Sequence, residues 1–246
     1  MTARDVTITT PDGTCTAGLH VPQGDGPWPA VIMVPDIGSR RPAFVEMGER
    51  LAAAGYVVLV PDIYYRDAPY APFDTATLFT SPDEFPRAKA MAGQITPDAV
   101  ASDARAWIAF LHEQPEVADV PVGTTGYCFG GKLSLTIAGQ VGDLVGAAAS
   151  FHGGGLAAAD DPTSPHLFAE GIRARVYVGA AADDRSFPAE QEERLRAALE
   201  GADVAFELET YDAAHGFAVT DFSVFDQAAS DRHWAAMERL YGEALG

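Results

Sequence analysis

A cysteine flanked by glycines is the first feature of this sequence that could do chemistry. Cys128 has Gly126 two residues before it and Gly130 two residues after it. This spacing is typical of a nucleophile elbow, a sharp strand-to-helix turn in which larger neighbours would clash. The helix that follows has a partial positive charge at its N-terminus, which favours the thiolate that attacks carbonyl carbons. A tight turn around an inert buried cysteine has the same short motif, so the partners of Cys128 decide between the two readings.

A carboxylate and a histidine follow the cysteine in the chain order that such an elbow uses. Asp184 lies in a loop of small residues after one predicted strand, and His215 lies in the loop after the next. Three loops after three separate strands can converge at one edge of a sheet. We therefore predict that His215 shares the proton of Cys128 and that Asp184 orients the imidazole, with the adjacent Asp183 as the alternative acid.

Acyl chemistry also needs two N–H donors for the oxyanion of the tetrahedral intermediate. We predict that these are the backbone N–H groups of Phe129, directly after the cysteine, and of Ile37, in a loop after an early strand. Asp36 beside Ile37 is either an acid poised near the thiol or a turn-forming residue. His152, at the end of another predicted strand, is either a pocket residue or a competitor of His215.

The elements that position these residues alternate along the chain. An alternating, β-branched pattern on both sides of the turn at residues 11–13 predicts an N-terminal hairpin. Continuous apolar runs predict strands that are covered on both faces, and helical spacing predicts the segments between them. The predicted strands cover residues 29–34, 56–61, 120–127, 145–151, 174–178 and 204–208, and the predicted helices cover residues 44–54, 98–114, 132–140, 188–199 and 224–245.

This alternation predicts an α/β fold, a doubly wound and mostly parallel sheet with helices on both faces. No linker-like stretch divides the 246 residues, so we expect a single domain over 1–246. Residues 64–95 are rich in Pro, Ala and Phe with weak periodicity, which predicts an irregular insertion over the sheet edge.

Composition excludes several function classes. A formal charge of −19 disfavours nucleic acid or an anionic membrane as a partner, because both would be repelled. The two cysteines, Cys15 and Cys128, are too few for a disulfide framework, although a single bridge between them remains open. No apolar stretch of signal-peptide or membrane-spanning length is visible, so we expect a cytoplasmic protein. Its expected partner is a small molecule, and it is either a monomer or a homodimer.

These motifs together resemble those of the dienelactone hydrolase (carboxymethylenebutenolidase) family, over nearly the whole chain. The resemblance implies an α/β-hydrolase fold with a Cys-Asp-His triad, and hydrolysis of an ester or lactone such as a dienelactone through an acyl-thioester. It also implies that no metal and no organic cofactor take part. The matching pieces are Pro61-Asp62-Ile63-Tyr64, Ala68-Pro69, the elbow Gly126-Tyr127-Cys128-Phe129-Gly130-Gly131, the spacing from Asp184 to Pro188, and His215-Gly216-Phe217-Ala218.

Two departures from the family pattern concern substrate recognition. The prototype has a glutamate that hydrogen-bonds the resting thiol, where this chain has the shorter Asp36. The prototype also grips the substrate carboxylate with two arginines, and Val219 stands at the position of one of them. Arg87 or Arg66 could replace the other, and Tyr127 is a further residue expected to bind substrate or modulate the thiol. We therefore expect a less anionic ester or lactone as substrate.

Two alternative functions fit the same motifs. The fold could support thioester hydrolysis, acyl transfer or attack on another electrophile. The chain could also be a non-catalytic small-molecule or redox sensor that keeps a reactive cysteine. An acyl adduct on Cys128 together with turnover separates the hydrolase from both.

Overall fold

Eight strands form one sheet with helices packed on both faces in the computed structural model, which describes residues 1–246. The strands are β1 (Thr2–Thr10), β2 (Gly13–Val21), β3 (Ala30–Val34), β4 (Val57–Pro61), β5 (Val122–Tyr127), β6 (Val145–Phe151), β7 (Arg175–Ala181) and β8 (Phe206–Tyr211). The helices are α1 (Pro42–Ala53), α2 (Glu84–Ala92), α3 (Pro97–His112), α4 (Phe129–Gln140), α5 (Ala189–Gly201) and α6 (Gln227–Ala244). The prediction of an α/β fold is confirmed.

The strand order across the sheet is β1-β2-β4-β3-β5-β6-β7-β8. The predicted hairpin is present, since β1 and β2 pair antiparallel with Thr10 opposite Gly13. β2 then pairs antiparallel with β4, and the six strands from β4 to β8 run parallel. The carboxyl ends of these six strands therefore share one edge, and the loops that follow β3, β5, β6, β7 and β8 meet there.

The continuous apolar runs arise because the central strands are buried on both faces. In β3, Ile32 and Val34 belong to the core that contains side chains of α3, α4 and α5. Val31 and Met33 belong to the core on the opposite face, with side chains of α1 and α6. Successive strand residues point to opposite faces, so both positions of the alternation have to be apolar.

Residues 64–95 follow β4 and contain one short 3-10 helix, Tyr65–Asp67, and the two-turn helix α2. The rest of the segment is turns and extended chain. Aromatic contacts connect it to the body of the protein, including a ring-to-ring distance of 5.8 Å between Phe79 and Phe222. The segment therefore forms a wall above the carboxyl edge of the sheet.

The largest differences from the predicted strand bounds are in β7 and β8. β7 continues to Ala181, three residues beyond the predicted end, because its small residues keep pairing with β8 as far as Tyr211. β8 starts at Phe206 rather than at 204, since Asp203 takes a positive φ of 56° in the turn after α5. The functional loops are consequently short.

Candidate active site

The elbow is a strained turn between β5 and α4. At Cys128 the backbone has φ 54° and ψ −116°, a conformation that residues other than glycine rarely adopt. A Cβ on Gly126 would lie 1.9 Å from the carbonyl oxygen of Gly130, and a Cβ on Gly130 would lie 2.3 Å from that of Pro35. Because backbone atoms cannot move aside at such distances, both positions require glycine. The elbow holds Cys128 at the N-terminus of α4, and its side chain lines a cavity.

The loops after β7 and β8 bring Asp184 and His215 together. His215 Nδ1 lies 2.6 Å from Asp184 Oδ2. The other carboxylate oxygen, Oδ1, accepts hydrogen bonds from the backbone N–H of Ser186 at 2.8 Å and from its hydroxyl at 2.6 Å. Only 4% of the Asp184 side chain is exposed, whereas Asp183 is exposed. Of the two candidate acids, the geometry brings Asp184 to the histidine and fixes its orientation.

The electrostatics of this pair favour a protonated imidazole. Burial lowers the pKa of His215, but hydrogen bonding to Asp184 and Cys128 raises it, with a net result of about 10. Burial raises the pKa of Asp184, and the hydrogen bonds from His215 and Ser186 outweigh it and lower that pKa. At neutral pH the site therefore contains a carboxylate beside an imidazolium.

A cavity of about 720 Å³ opens beside Cys128 and His215. It is of the size that holds small-molecule ligands. The insertion over the sheet edge contributes one wall, and the chain after His215 contributes another. The remaining lining residues are Asp36, Ile37, Thr75, Ala76, Phe79, Thr80, Gly216, Thr220, Asp221, Phe222, Ser223 and Val224. The lining thus contains two acidic residues and neither lysine nor arginine.

The two backbone donors predicted for the oxyanion flank this site. Phe129 is the first residue of α4, so its N–H has no acceptor within the helix. The N–H of Ile37 makes no hydrogen bond within the protein, and its carbonyl accepts one from the Tyr64 hydroxyl at 2.9 Å. β3 and β5 are neighbours in the sheet, so the loops that carry the two donors are adjacent. This arrangement leaves both N–H groups available.

Asp36 is completely buried and pairs with an arginine rather than with the thiol. Arg41 donates to its two oxygens at 2.7 and 2.8 Å, and the N–H of Gly38 donates to Oδ1 at 2.8 Å. No hydrogen bond joins Asp36 to Cys128. Burial raises the pKa of Asp36, against the lowering effect of the hydrogen bonds from Arg41 and Gly38. That Asp36 modulates the Cys128 thiol therefore stays a prediction, and in this structure the acid is paired with Arg41 instead.

Tyr127 and His152 are both buried, and neither lines the cavity. Tyr127 is buried, with its hydroxyl 3.1 Å from Nε2 of His233. The buried ring of His152 lies 5.2 Å from that of His215, and neither of its nitrogens has a hydrogen-bond partner. Burial, and then the proximity of His215, lowers the pKa of His152 well below its usual value. His152 is consequently a neutral ring that packs against His215.

The candidate arginines for a substrate carboxylate lie elsewhere. Arg66 pairs with Asp12 and Asp103 at 2.7 Å each. Arg87 donates to the carbonyl of Ala71 at 2.9 Å and stacks over an aromatic ring. Neither lines the cavity. Val219 does not line it either, since its side chain is fully buried in the core on the α1 and α6 face.

Three residues of the site were missed by sequence reasoning. Ser186 had a detectable signal, because a serine two residues after an aspartate often closes a local turn through the carboxylate. Arg41 and Asp221 had none, since the contact between them joins positions 180 residues apart. Long-range ion pairs of this kind leave no local pattern in a sequence.

Both cysteines are free, which excludes the bridge that the sequence left open. Cys15 is fully buried in β2, and burial raises the pKa of its thiol to about 12. No group of three or more His, Cys, Asp or Glu side chains is arranged to hold a metal ion. None of the helices combines the length and the apolar character needed to span a bilayer.

Comparison with known proteins gives a consistent result. The family model described as the dienelactone hydrolase family matches residues 16–245. A carboxymethylenebutenolidase of Pseudomonas sp. (strain P51) is 31% identical over 209 residues, which cover 82% of this chain and 79% of that protein. A dienelactone hydrolase-like promiscuous phosphotriesterase from metagenomic libraries is similar in structure, with a TM-score of 0.78, 26% identity, and coverage of 99% and 98% of the two chains.

A dienelactone hydrolase from Anabaena variabilis shares the fold at 17% identity, with a TM-score of 0.70 and coverage of 99% of this chain and 98% of the other. The chain therefore belongs to the dienelactone hydrolase family and is an α/β-hydrolase that acts on ester or lactone bonds.

Proposed function

We propose that this protein hydrolyses an uncharged carboxylic ester or lactone with Cys128 as nucleophile, through an acyl-thioester intermediate. The observation that carries the proposal is the meeting of three loops at one cavity. Cys128 at the elbow and His215 line that cavity, and Asp184 holds the imidazole at 2.6 Å. A nucleophile, a base and a residue that orients the base are the parts that covalent acyl transfer needs.

The proposed reaction has an acylation stage and a hydrolysis stage. The Cys128 thiolate attacks the carbonyl carbon, and the oxyanion that forms accepts hydrogen bonds from the N–H groups of Ile37 and Phe129. His215 gives its proton to the departing alkoxide, which leaves an acyl-thioester on the sulfur. A water molecule then loses a proton to His215 and attacks the thioester, and expulsion of the thiolate releases the acid.

The charge of the cavity supports an uncharged substrate. Its lining contains Asp36 and Asp221 and neither lysine nor arginine. Arg41, which contacts both acids, uses all of its N–H groups within the protein. A substrate carboxylate would therefore lose its hydration without gaining a lysine or arginine partner, and the imidazolium of His215 is already paired with Asp184. The apolar side chains of Phe79, Phe222 and Val224 favour a neutral, partly apolar substrate instead.

A phosphotriester is a second candidate substrate. It is uncharged, so it suits a cavity whose lining contains neither lysine nor arginine, and the similar structure from metagenomic libraries is described as a promiscuous phosphotriesterase. In this case the thiolate would attack phosphorus and displace an aryloxide. A phosphoryl adduct on Cys128 would identify this reaction and distinguish it from acyl transfer.

A matched pair of aryl esters tests the proposal. p-Nitrophenyl butyrate and mono-p-nitrophenyl succinate are similar in size, and only the second carries a carboxylate. We expect kcat/KM to be at least about 10-fold higher for the neutral ester, since a buried unpaired charge costs more than about 1.4 kcal/mol. Equal values for the two esters would contradict the assigned substrate charge.

Mass spectrometry after brief mixing tests the nucleophile. We expect the acyl group on Cys128 and none on the buried Cys15, which serves as an internal control. Cys128→Ala should remove hydrolysis while the circular dichroism spectrum is retained. Full activity in this variant would eliminate the proposed mechanism, and an adduct without turnover would favour the sensor alternative.

A further inference from the structure

Arg41, the residue directly before α1, forms an unusually complete set of hydrogen bonds. A guanidinium has five N–H donors. Nη1 and Nη2 donate to the two oxygens of Asp36 at 2.7 and 2.8 Å, and Nε and Nη2 donate to those of Asp221 at 2.6 and 2.9 Å. The fifth donor, on Nη1, contacts the carbonyl of Ser39 at 3.2 Å. The side chain therefore has no donor left for a substrate.

The faces of the guanidinium are covered as well as its edges. Its carbon lies 4.9 Å from the ring centre of Phe44 and 5.2 Å from that of Phe222. Only 8% of the side chain is exposed. Two bidentate carboxylate pairs and aromatic contacts define a single orientation, which the ammonium group of a lysine could not reproduce.

Arg41 joins two loops that carry proposed catalytic groups. We call residues 35–41 the oxyanion loop and residues 212–226 the histidine loop. Asp36 precedes Ile37, the proposed oxyanion donor, and Asp221 follows His215 by six residues. Both acids line the cavity beside the cysteine. A change at Arg41 would therefore alter the spacing of the donor and the base together.

The same contacts balance charge near the reacting carbonyl. Asp36 is fully buried, and 30% of the Asp221 side chain is exposed. A negative charge also develops on the substrate oxygen during attack, in a partly desolvated cavity where like charges repel more strongly than in water. Arg41 is the cation that contacts both carboxylates, so its loss would leave them unpaired beside the oxyanion.

We propose that Arg41 is a positioning residue of the active site, which connects the oxyanion loop to the histidine loop and neutralises the two carboxylates that flank the reacting carbonyl. The inference rests on the proposed Cys128 chemistry. It assigns Asp36 to this ion pair, so the acid does not hold the resting thiol. It also assigns a role to a residue that touches no substrate.

The test compares Arg41→Met, Arg41→Lys and the double variant Arg41→Met with Asp36→Asn. Steady-state hydrolysis of p-nitrophenyl butyrate is measured from pH 5 to 9, with the fold checked by circular dichroism. We expect Arg41→Met to lower kcat by roughly 10- to 100-fold at pH 8, with a smaller change in KM. Arg41→Lys should fall between this variant and the wild type, because it keeps the charge but not the two bidentate pairs.

The pH profile separates charge from general damage. Without Arg41, burial keeps the pKa of Asp36 raised, and the opposing hydrogen bonds from the guanidinium are gone. The acid is then neutral at low pH and charged at high pH, so the activity of Arg41→Met relative to the wild type should fall as pH rises. The charged or titratable groups around Asp36 are Arg41, Asp221 and Tyr64, and Cys128 and His215 line the same cavity.

The double variant gives the decisive comparison. Since the amide introduced by Asp36→Asn cannot ionise, we expect this variant to lose the extra pH dependence and to recover kcat at pH 8 to within about 5-fold of the wild type. A double variant as slow as Arg41→Met at every pH would overturn the charge role, and wild-type activity in Arg41→Met would overturn the whole inference. If Arg41→Met does not fold, Arg41→Lys and the double variant carry the comparison.

Two further variants complete the design. Arg4→Met removes an arginine of β1, which pairs with Glu116 away from the cavity, and should keep wild-type kinetics. Cys128→Ala should be inactive on the same ester. If Cys128→Ala stays active, the proposed function fails; if it is inactive but Arg41→Met is unimpaired, only the role of Arg41 fails.

Discussion

Replacement of Asp184 by asparagine should disable the histidine with little change in shape. The backbone N–H of Ser186 donates to Oδ1 at 2.8 Å, and it can only donate. In Asp184→Asn the amide oxygen must therefore remain at this position, which turns the amide NH2 group toward Nδ1 of His215. Nδ1 must then accept, so the imidazole proton moves to Nε2. This tautomer is wrong for a base that acts on Cys128.

The magnitude follows from the charge and from the tautomer. A carboxylate and an imidazolium about 4 Å apart attract by roughly 4 kcal/mol at an effective dielectric constant of about 20, which corresponds to about three orders of magnitude in rate. A wrong tautomer in a catalytic triad has an effect of about 10⁴-fold. We therefore expect kcat to fall by about 10³- to 10⁴-fold.

The pH dependence has a definite sign. Hydrogen bonds to Asp184 and Cys128 raise the pKa of His215 to about 10 against the lowering effect of burial, so the wild-type imidazole keeps its proton until the pH approaches that value. Loss of the carboxylate removes the largest raising contribution. The alkaline limb of the rate profile should therefore move to lower pH in Asp184→Asn.

The assay is steady-state hydrolysis of p-nitrophenyl butyrate, with Asp183→Asn as the matched control. Asp183 is exposed and has a φ of 50°, a conformation that asparagine tolerates, so this control should keep kcat within about 2-fold. The reasoning is refuted if Asp184→Asn retains more than about a tenth of wild-type kcat, or if the control loses as much as the test variant.

Two further predictions concern packing and substrate charge. Gly126→Ala should lower the free energy of unfolding by about 3 kcal/mol or more, because its Cβ would overlap the backbone of the elbow. Gly201→Ala is the control: no atom lies near its Cβ, so the free energy of unfolding should stay within about 1 kcal/mol of the wild-type value. Urea denaturation measures both. Val219→Arg should also destabilise the fold by about 3 kcal/mol or more, because it buries an unpaired charge in the core. Val224→Arg, at a cavity residue that is 41% exposed, should instead raise kcat/KM for mono-p-nitrophenyl succinate by about 2- to 5-fold at little cost in stability. If Val219→Arg instead raised kcat/KM for the succinate ester and Val224→Arg destabilised the fold, the cavity would have been assigned incorrectly.

The fold and the order of the reactive loops could be predicted because they depend on local patterns. Apolar runs and helical spacing repeat along the chain, and the glycines around Cys128 reflect a steric requirement within a few residues. Asp184 and His215 could be located because each follows a strand in a parallel sheet. These features depend on contacts that are close in sequence or on general rules of sheet topology.

The recognition residues were harder to predict because they depend on distant pairing. Arg66 and Arg87 are cations of the right type in the right segment, but nearby groups in the fold already engage both of them. Arg41 was missed because neither of its neighbours in sequence indicates a contact with Asp221. Tertiary packing determines which arginine pairs with which carboxylate, and a single sequence does not reveal these pairs.

The close packing of Gly130 against Pro35 has a consequence for how this scaffold could acquire new substrates. It fixes the backbone of the nucleophile and that of the neighbouring donor as one rigid unit that mutation cannot easily reshape. The cavity walls at Thr75–Thr80 and Thr220–Val224, by contrast, belong to no strand or helix. Laboratory evolution can therefore vary those walls and retarget the enzyme while its reactive centre is inherited unchanged.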